Sequence, residues 1–195
     1  MWRDGKAELK DMVDQRGRPL RVRELNNVAD AGMVASMVKT NARKTISNKY
    51  DDWLASALSG NQRKDYALLG EAHQDVIDFL KTKDINPLSP DIVINDRIVV
   101  GKKADRHKNA GNALSAEEWR SAPAMLKSTA NVLYDKVDNN LLYVYPVAGD
   151  DKIVKVVVEI NVYDKKLEGI YNQVSTAFKI NGNALLDKTR YIKIR

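Results

Sequence analysis

Residues 152–163 read Lys-Ile-Val-Lys-Val-Val-Val-Glu-Ile-Asn-Val-Tyr, and residues 172–180 read Asn-Gln-Val-Ser-Thr-Ala-Phe-Lys-Ile. Strand side chains alternate with a period of two. A strand over 153–163 therefore sets Val154, Val156, Val158, Ile160 and Val162 on one side. Lys155, Glu159, Asn161 and Tyr163 fall on the other, with Val157 among them. Residues 172–180 repeat the scheme, with Val174, Thr176, Phe178 and Ile180 against Gln173, Ser175, Ala177 and Lys179. One apolar and one polar face is the pattern of an antiparallel sheet that buries one side and leaves the other to water. The polar face is either a solvated surface or the floor of a site.

Further strands are expected at 132–135, 141–147 and 191–194, with turn signals at Asp138-Asn139-Asn140 and Gly149-Asp150-Asp151. Ahead of them, Ser115-Ala116-Glu117-Glu118 has the capping-box form, so a helix starts there. Pro123 fits the first turn of a second short helix better than a helix interior. Residues 92–94 and 97–100 read as two short strands joined at Asn95-Asp96, a hairpin. The front of the chain has helical spacing instead. A short helix over 2–14 ends at the turn Arg16-Gly17-Arg18-Pro19. A longer pattern over 24–59 is carried by Val28, Ala31, Val34, Ala35, Val38 and Ala42, and a third helix covers 62–83 with Tyr66, Leu69, Ala72, Val76 and Leu80 on one face. His73, inside that helix, has no catalytic-type residue spaced beside it and reads as structural or exposed. Pro87 and Pro90 break the pattern. The expected organisation is α+β: a helical region over 1–90, then a small domain over 91–195 with helices and an antiparallel sheet.

The composition narrows the function. The chain has 195 residues, is 44% hydrophobic and contains no cysteine, which excludes a disulfide scaffold and a cysteine-based zinc site. Its two histidines, His73 and His107, argue against a His-rich metal site. Neither metal nor cofactor is expected. No apolar run approaches the ~20 residues of a membrane span, and no signal-peptide pattern opens the chain. A net charge of +6 and a pI near 9.3 lean toward an anionic partner such as nucleic acid. No phosphate-binding loop, dinucleotide fingerprint, zinc-protease motif or nucleophile elbow is present.

What remains is one basic segment and one polar sheet face. Residues 101–108 read Gly-Lys-Lys-Ala-Asp-Arg-His-Lys; as a helical turn they set Lys103 and His107 on one face and Lys102 and Arg106 on another. The segment is either a solvated basic loop or one half of a site. Metal-free RNA cleavage needs a base for the 2′-hydroxyl, an acid for the leaving 5′-oxygen and cations for the charge on phosphorus. Histidine suits either proton role, with an ordinary pKa near 6.5. Glu159, Lys155, Ser175 and Lys179 on the polar face offer the remaining chemistry.

Three features in order carry a resemblance: a basic segment ending in Asp105-Arg106-His107, a helix leading into Val132-Leu133-Tyr134-Asp135, and the long Val-rich strand followed by 172–178, Asn-Gln-Val-Ser-Thr-Ala-Phe. Over roughly 92–180 the chain resembles the phage-associated nuclease-like domains of the barnase, EndoU, colicin and RelE group, found at the ends of Mu-like phage minor head proteins. The resemblance implies helices followed by a four-stranded antiparallel sheet with the active site on its exposed face. It implies His107 as acid or base, Arg106 as phosphate ligand, and Ser175 or Thr176 as the polar group of the late strand. A single histidine in this part of the chain makes Glu159 or a lysine its partner. The expected mechanism pairs His107 with Glu159, with Arg106 and Lys155 stabilising charge. Lys103, Lys155 and Lys179 would contact phosphates, and Tyr143 and Tyr145 would stack on bases. The expected partner is RNA rather than DNA, together with other phage head proteins, in the host cytoplasm or the virion. The competing expectations are a non-catalytic minor head protein and a plain nucleic-acid-binding module.

Overall fold

The computed structural model describes residues 46–60, 65–128, 131–147 and 149–195. Eight strands run through them: β1 (Ile46–Ser47), β2 (Tyr66–Glu71), β3 (Asp91–Asn95), β4 (Val132–Asp135), β5 (Asn140–Pro146), β6 (Lys152–Asp164), β7 (Gly169–Asn181) and β8 (Tyr191–Lys193). They form one sheet in the order β1-β2-β3-β7-β6-β5-β4-β8. From β7 through β6, β5 and β4 to β8 every pair is antiparallel, as is β2 with β3. The β1–β2 and β3–β7 pairs are parallel. The helices are α1 (Tyr50–Leu58), α2 (Gln74–Lys81), α3 (Asp96–Val100), α4 (Lys102–Asn109) and α5 (Ala116–Ser128). The fold is therefore mixed, with helices and a largely antiparallel sheet.

Alternation in β6 sets the core as expected up to Ile160; beyond the register slip after Glu159, Val162 is only half-buried. Val154, Val156, Val158 and Ile160 are buried, packed with Trp53, Leu54, Val76, Leu80, Trp119 and Leu126 from α1, α2 and α5. Each such side chain contributes about 1.5–3 kcal/mol on burial, so a one-residue slip of β6 would forfeit several kcal/mol. The expected strands at 132–135, 141–147 and 191–194 are present within a residue of their bounds. The capping box of α5 forms as well: Glu118 N–H donates to Ser115 Oγ at 3.2 Å, and Ser115 N–H donates to Glu118 Oε2 at 2.6 Å.

The front half agrees with the helical expectation only in part: α1 and α2 fall inside the stretches expected over 24–59 and 62–83. Residues 66–71 form β2, not part of a helix over 62–83, and Ile46–Ser47 is a strand inside the stretch expected to be helical over 24–59. Ala67 and Leu69 enter the main core while Tyr66 joins a separate cluster with Val93, Leu167 and Tyr171. A strand covered on both faces reads as an unbroken apolar run, which periodicity does not tell from a helix. Gly70 allows close packing here, since a Cβ on it would lie 2.7 Å from Leu126 Cδ2 of α5. The division expected at residue 90 falls between β2 and β3, which pair over Tyr66–Asn95 to Glu71–Asp91, so one sheet spans it. The expected helix over 2–14, the turn over 16–19 and the part of the 24–59 pattern before residue 46 lie outside the described residues.

Two further expectations are corrected. Residues 97–100 belong to α3 instead of a second hairpin strand, because the Asn95 side chain accepts from Arg97 N–H at 3.1 Å and caps a helix. Pro123 lies inside α5, which runs unbroken from Ala116 to Ser128. A proline there removes the N–H that would bond the carbonyl four residues back, at Trp119. That carbonyl accepts instead from the Tyr50 hydroxyl of α1 at 2.8 Å, within the core. Tyr50→Phe should therefore destabilise the protein by about 1–3 kcal/mol in urea unfolding, because it leaves a buried carbonyl unpaired. In a Pro123→Ala background the same change should cost clearly less; equal costs in both backgrounds would contradict this account.

Candidate functional site

The open face is shaped by two slips in the β6–β7 ladder. Val157 pairs with Thr176 but Val158 with Val174, so Ser175 is an extra residue. Val174 and Ala177 then both face the core, while Thr176 and Phe178 turn to the other side. This corrects the expected grouping of Phe178 and Ile180 with Val174. It also removes Lys179 from the open face. Lys179 Nζ lies 3.0 Å from Asp150 Oδ2 and 3.2 Å from Glu118 Oε1, and the Asp150 contact, followed by Glu118, raises its pKa. It serves as an ion-pair cation on the helix-bearing side, not as a phosphate ligand. The second slip lies between Glu159 and Val162, and Asn161 within it has a φ of 52°. Asn161 is buried, donates from Nδ2 to Asn86 O at 2.8 Å and accepts from Leu88 N–H at 3.0 Å, so it ties down a loop instead of lining a polar surface.

Part of the open face is apolar. Leu142, Val144 and Val157 are buried there with Leu133 and Ile153, and the chain after β7 returns across them through Leu185 and Tyr191. Tyr143 and Tyr145 point the opposite way, into the core, and are fully or almost fully buried. Burial pushes both phenols up. They are unavailable to stack on bases.

On the β3 side, β7 pairs with β3 only at Asn172 and Gln173. Beyond that point the edge of β7 meets α4 and the loop after it. Lys179 N–H donates to Asn112 O at 2.7 Å, and Lys103 Nζ donates to Ser175 O at 3.0 Å. Here α4 brings His107 over the sheet. Its ring stacks on Phe178 with centroids 4.5 Å apart and planes 10° from parallel, and its Nε2 lies 3.1 Å from Thr176 Oγ1. From β6, paired in register with Phe178, Lys155 brings Nζ to 4.5 Å from the same ring centroid. The structure thus sets His107 and Lys155 on the Phe178 ring, with Thr176 bonded to His107, Lys103 held on the Ser175 carbonyl and Arg106 exposed on α4.

The electrostatics follow from the cations. Burial first, then Arg106, Lys103 and Lys155, push the His107 imidazole below its ordinary 6.5. Burial first, then Arg190, push Lys155 below the usual lysine range, and Asp135 offsets this in part. Arg190 is itself bound by Asp135, from Nε at 2.9 Å and Nη2 at 2.6 Å to Oδ2, and by Asp138 at 2.7 Å. Burial alone would raise the Asp135 carboxyl, but hydrogen bonds from Arg190 and from the N–H groups of Val137 and Asp138 bring it down.

Glu159 shares this face in a cross-strand row with Asp135, Asn140 and Gln173. It lies two residues beyond Val157, about 7 Å along the strand from the Thr176 row. The side-chain hydrogen bond of His107 goes to Thr176, not to a carboxylate. Ser175 contributes its backbone carbonyl to Lys103, while its hydroxyl turns toward Val157 O at 3.5 Å. Phe178, Asp135 and Arg190 escaped the sequence reading. Only a bulge in β7 reveals Phe178, and the Asp135–Arg190 pair spans 55 residues with no local pattern.

Comparison with known proteins gives no match: no family model, no curated protein and no solved structure matches the chain.

The cation-rich surroundings predict a titration. His107 should have a midpoint below 6.5 by NMR, and Arg106→Gln should raise it, because it removes a positive neighbour. A midpoint at or above the ordinary value would show that these cations do not act on the ring.

Proposed function

We propose that the open face around His107 cleaves RNA without a metal, by attack of the 2′-hydroxyl on the adjacent phosphate. The observation that carries this reading is a half-buried imidazole held by a stack and a hydrogen bond, with Lys155 on the ring it stacks against and Lys103 on the neighbouring Ser175 carbonyl. With its pKa lowered, His107 is neutral at pH 7 and fit to act as a base. It takes the 2′-proton while the 2′-oxygen bonds to phosphorus. Lys155 counters the charge that builds on the phosphoryl oxygens and, as the cation sharing the Phe178 ring with His107, protonates the departing 5′-oxygen. The P–O5′ bond breaks, leaving a 2′,3′-cyclic phosphate and a free 5′-hydroxyl. Thr176 orients the imidazole, and Arg106 and Lys103 add positive potential. The expected Glu159 partnership with His107 gives way to Lys155, because Glu159 stands a row further along the strand.

The resemblance to phage-associated nuclease-like domains supports this reading, as does the run of α5 into a meander of β4 to β7. It also supports membership in a phage or prophage head-associated protein, with other head proteins as partners. Among the described residues no helix is long and apolar enough to cross a membrane. A second reading, RNA binding without cleavage, is favoured by one observation: His107 has a hydroxyl rather than a carboxylate as its hydrogen-bond partner.

An RNA cleavage assay in EDTA separates the two. Chelator-resistant cleavage with cyclic-phosphate products is expected, and DNA should resist because it lacks the nucleophile. His107→Ala and Lys155→Met should each cost about 10²–10⁴-fold in rate, and Glu159→Gln less than about tenfold. The rate should climb with pH through the His107 midpoint below 6.5, since the base acts when neutral, and fall as Lys155 loses its proton below 10.5. Full activity in His107→Ala, or dependence on a divalent metal, would refute the mechanism. RNA binding with no cleavage would leave the second reading.

A further inference from the structure

Helix α4 carries Lys102, Lys103, Arg106, His107 and Lys108 in eight residues, with Asp105 as its only carboxylate, and none of its side chains is buried. It therefore does not exist to fill a core. Lys103 and His107 reach β7, while Lys102, Arg106 and Lys108 stay exposed. Among the described residues these three make no ion pair, although Lys81, Arg120, Lys166, Lys179 and Arg190 each meet a carboxylate. Helix stability explains only part of this charge. Arg106, His107 and Lys108 stand in the last turn, where the helix dipole favours cations, but Lys102 and Lys103 stand in the first turn, where it opposes them. Lys103 is compensated by the Ser175 carbonyl. Lys102 has no such partner among the described residues, so its charge is open to an anion. Lys102 and Arg106 stand one turn apart on the same flank of the helix, about 6 Å along its axis, about the separation of neighbouring phosphates on a single strand, whereas Lys108 lies on the other flank.

We propose that Lys102 and Arg106 form a phosphate ridge holding the RNA strand that flanks the cleaved phosphate, so that the substrate is a single-stranded oligonucleotide, not a dinucleotide. This rests on the reading that the face around His107 cleaves RNA. The strand is single because attack needs the 2′-oxygen, phosphorus and 5′-oxygen in line, an arrangement that a stacked A-form duplex does not allow.

The test uses the full chain and uncleavable 2′-O-methyl oligouridylates of three and nine nucleotides, with binding followed by fluorescence anisotropy. The wild type should bind the longer probe at least about tenfold more tightly, and Lys102→Ala should lose much of that gain while Lys108→Ala, on the other flank, loses little. In Lys102→Ala the slope of log affinity against log salt should shrink by about 0.7, one phosphate contact on a single strand. Cleavage of a dinucleotide should be unchanged in Lys102→Ala, since that lysine does not touch the His107 site. Equal wild-type affinity for both probes, an unchanged salt slope, or equal binding of duplex RNA overturns the ridge. So does displacement of the longer probe by polyglutamate at lower concentration than by RNA. Length-dependent binding without any cleavage removes the nuclease reading and leaves the ridge. Dinucleotide cleavage with no gain from length removes the ridge and leaves the nuclease.

Discussion

Val157 pairs with Thr176 and Val158 with Val174, which leaves Ser175 without an opposite number in the longest strand pair of the sheet. Without that extra residue, strict alternation would carry Phe178 to the face of Val174 and turn Lys179 outward. With it, the hydrophobic ring lies on the open face beneath His107, and the lysine reaches two carboxylates on the helix side. Lys103 bonds the carbonyl of Ser175, the inserted residue itself. The stack on Phe178 and the Thr176 contact, which seat His107 of α4 on the sheet, both depend on the orientation this one insertion gives.

The sheet pattern was legible wherever one face was clearly apolar. In β6 the valines at every second position marked the core, and Ser115 with Glu118 marked the start of α5, because both signals are local. Where both faces are covered, alternation fails. β2 reads as a helix for that reason, and β5 has Leu142 and Val144 on one side and Tyr143 and Tyr145 on the other, so its sequence does not say which pair meets solvent. Pro123 misled for a different reason: the hydroxyl that replaces its missing N–H comes from Tyr50, far back in the chain.

The same distinction runs through the site. His107, Arg106 and Lys103 were visible as a basic helical turn, and Lys155 as a cation on the open strand face. The meeting of His107 and Lys155 on Phe178 was not, because it depends on a bulge and on a helix crossing a sheet edge. Arg190 and Asp135 show the limit most clearly, since they meet only through the pairing of β8 with β4.

Helix α4 contributes no side chain to the core, and its seat on β7 consists of one stacked ring, one imidazole contact and one lysine bond to a carbonyl. The hydrophobic scaffold would lose little if most of its exposed positions changed. The exposed positions 102, 105, 106 and 108 can therefore change without endangering folding, while Lys103 and His107 hold the helix in place. Across descendants of such a chain, the sheet and those two anchors should drift slowly while the outer positions diverge, letting one scaffold acquire different anionic targets.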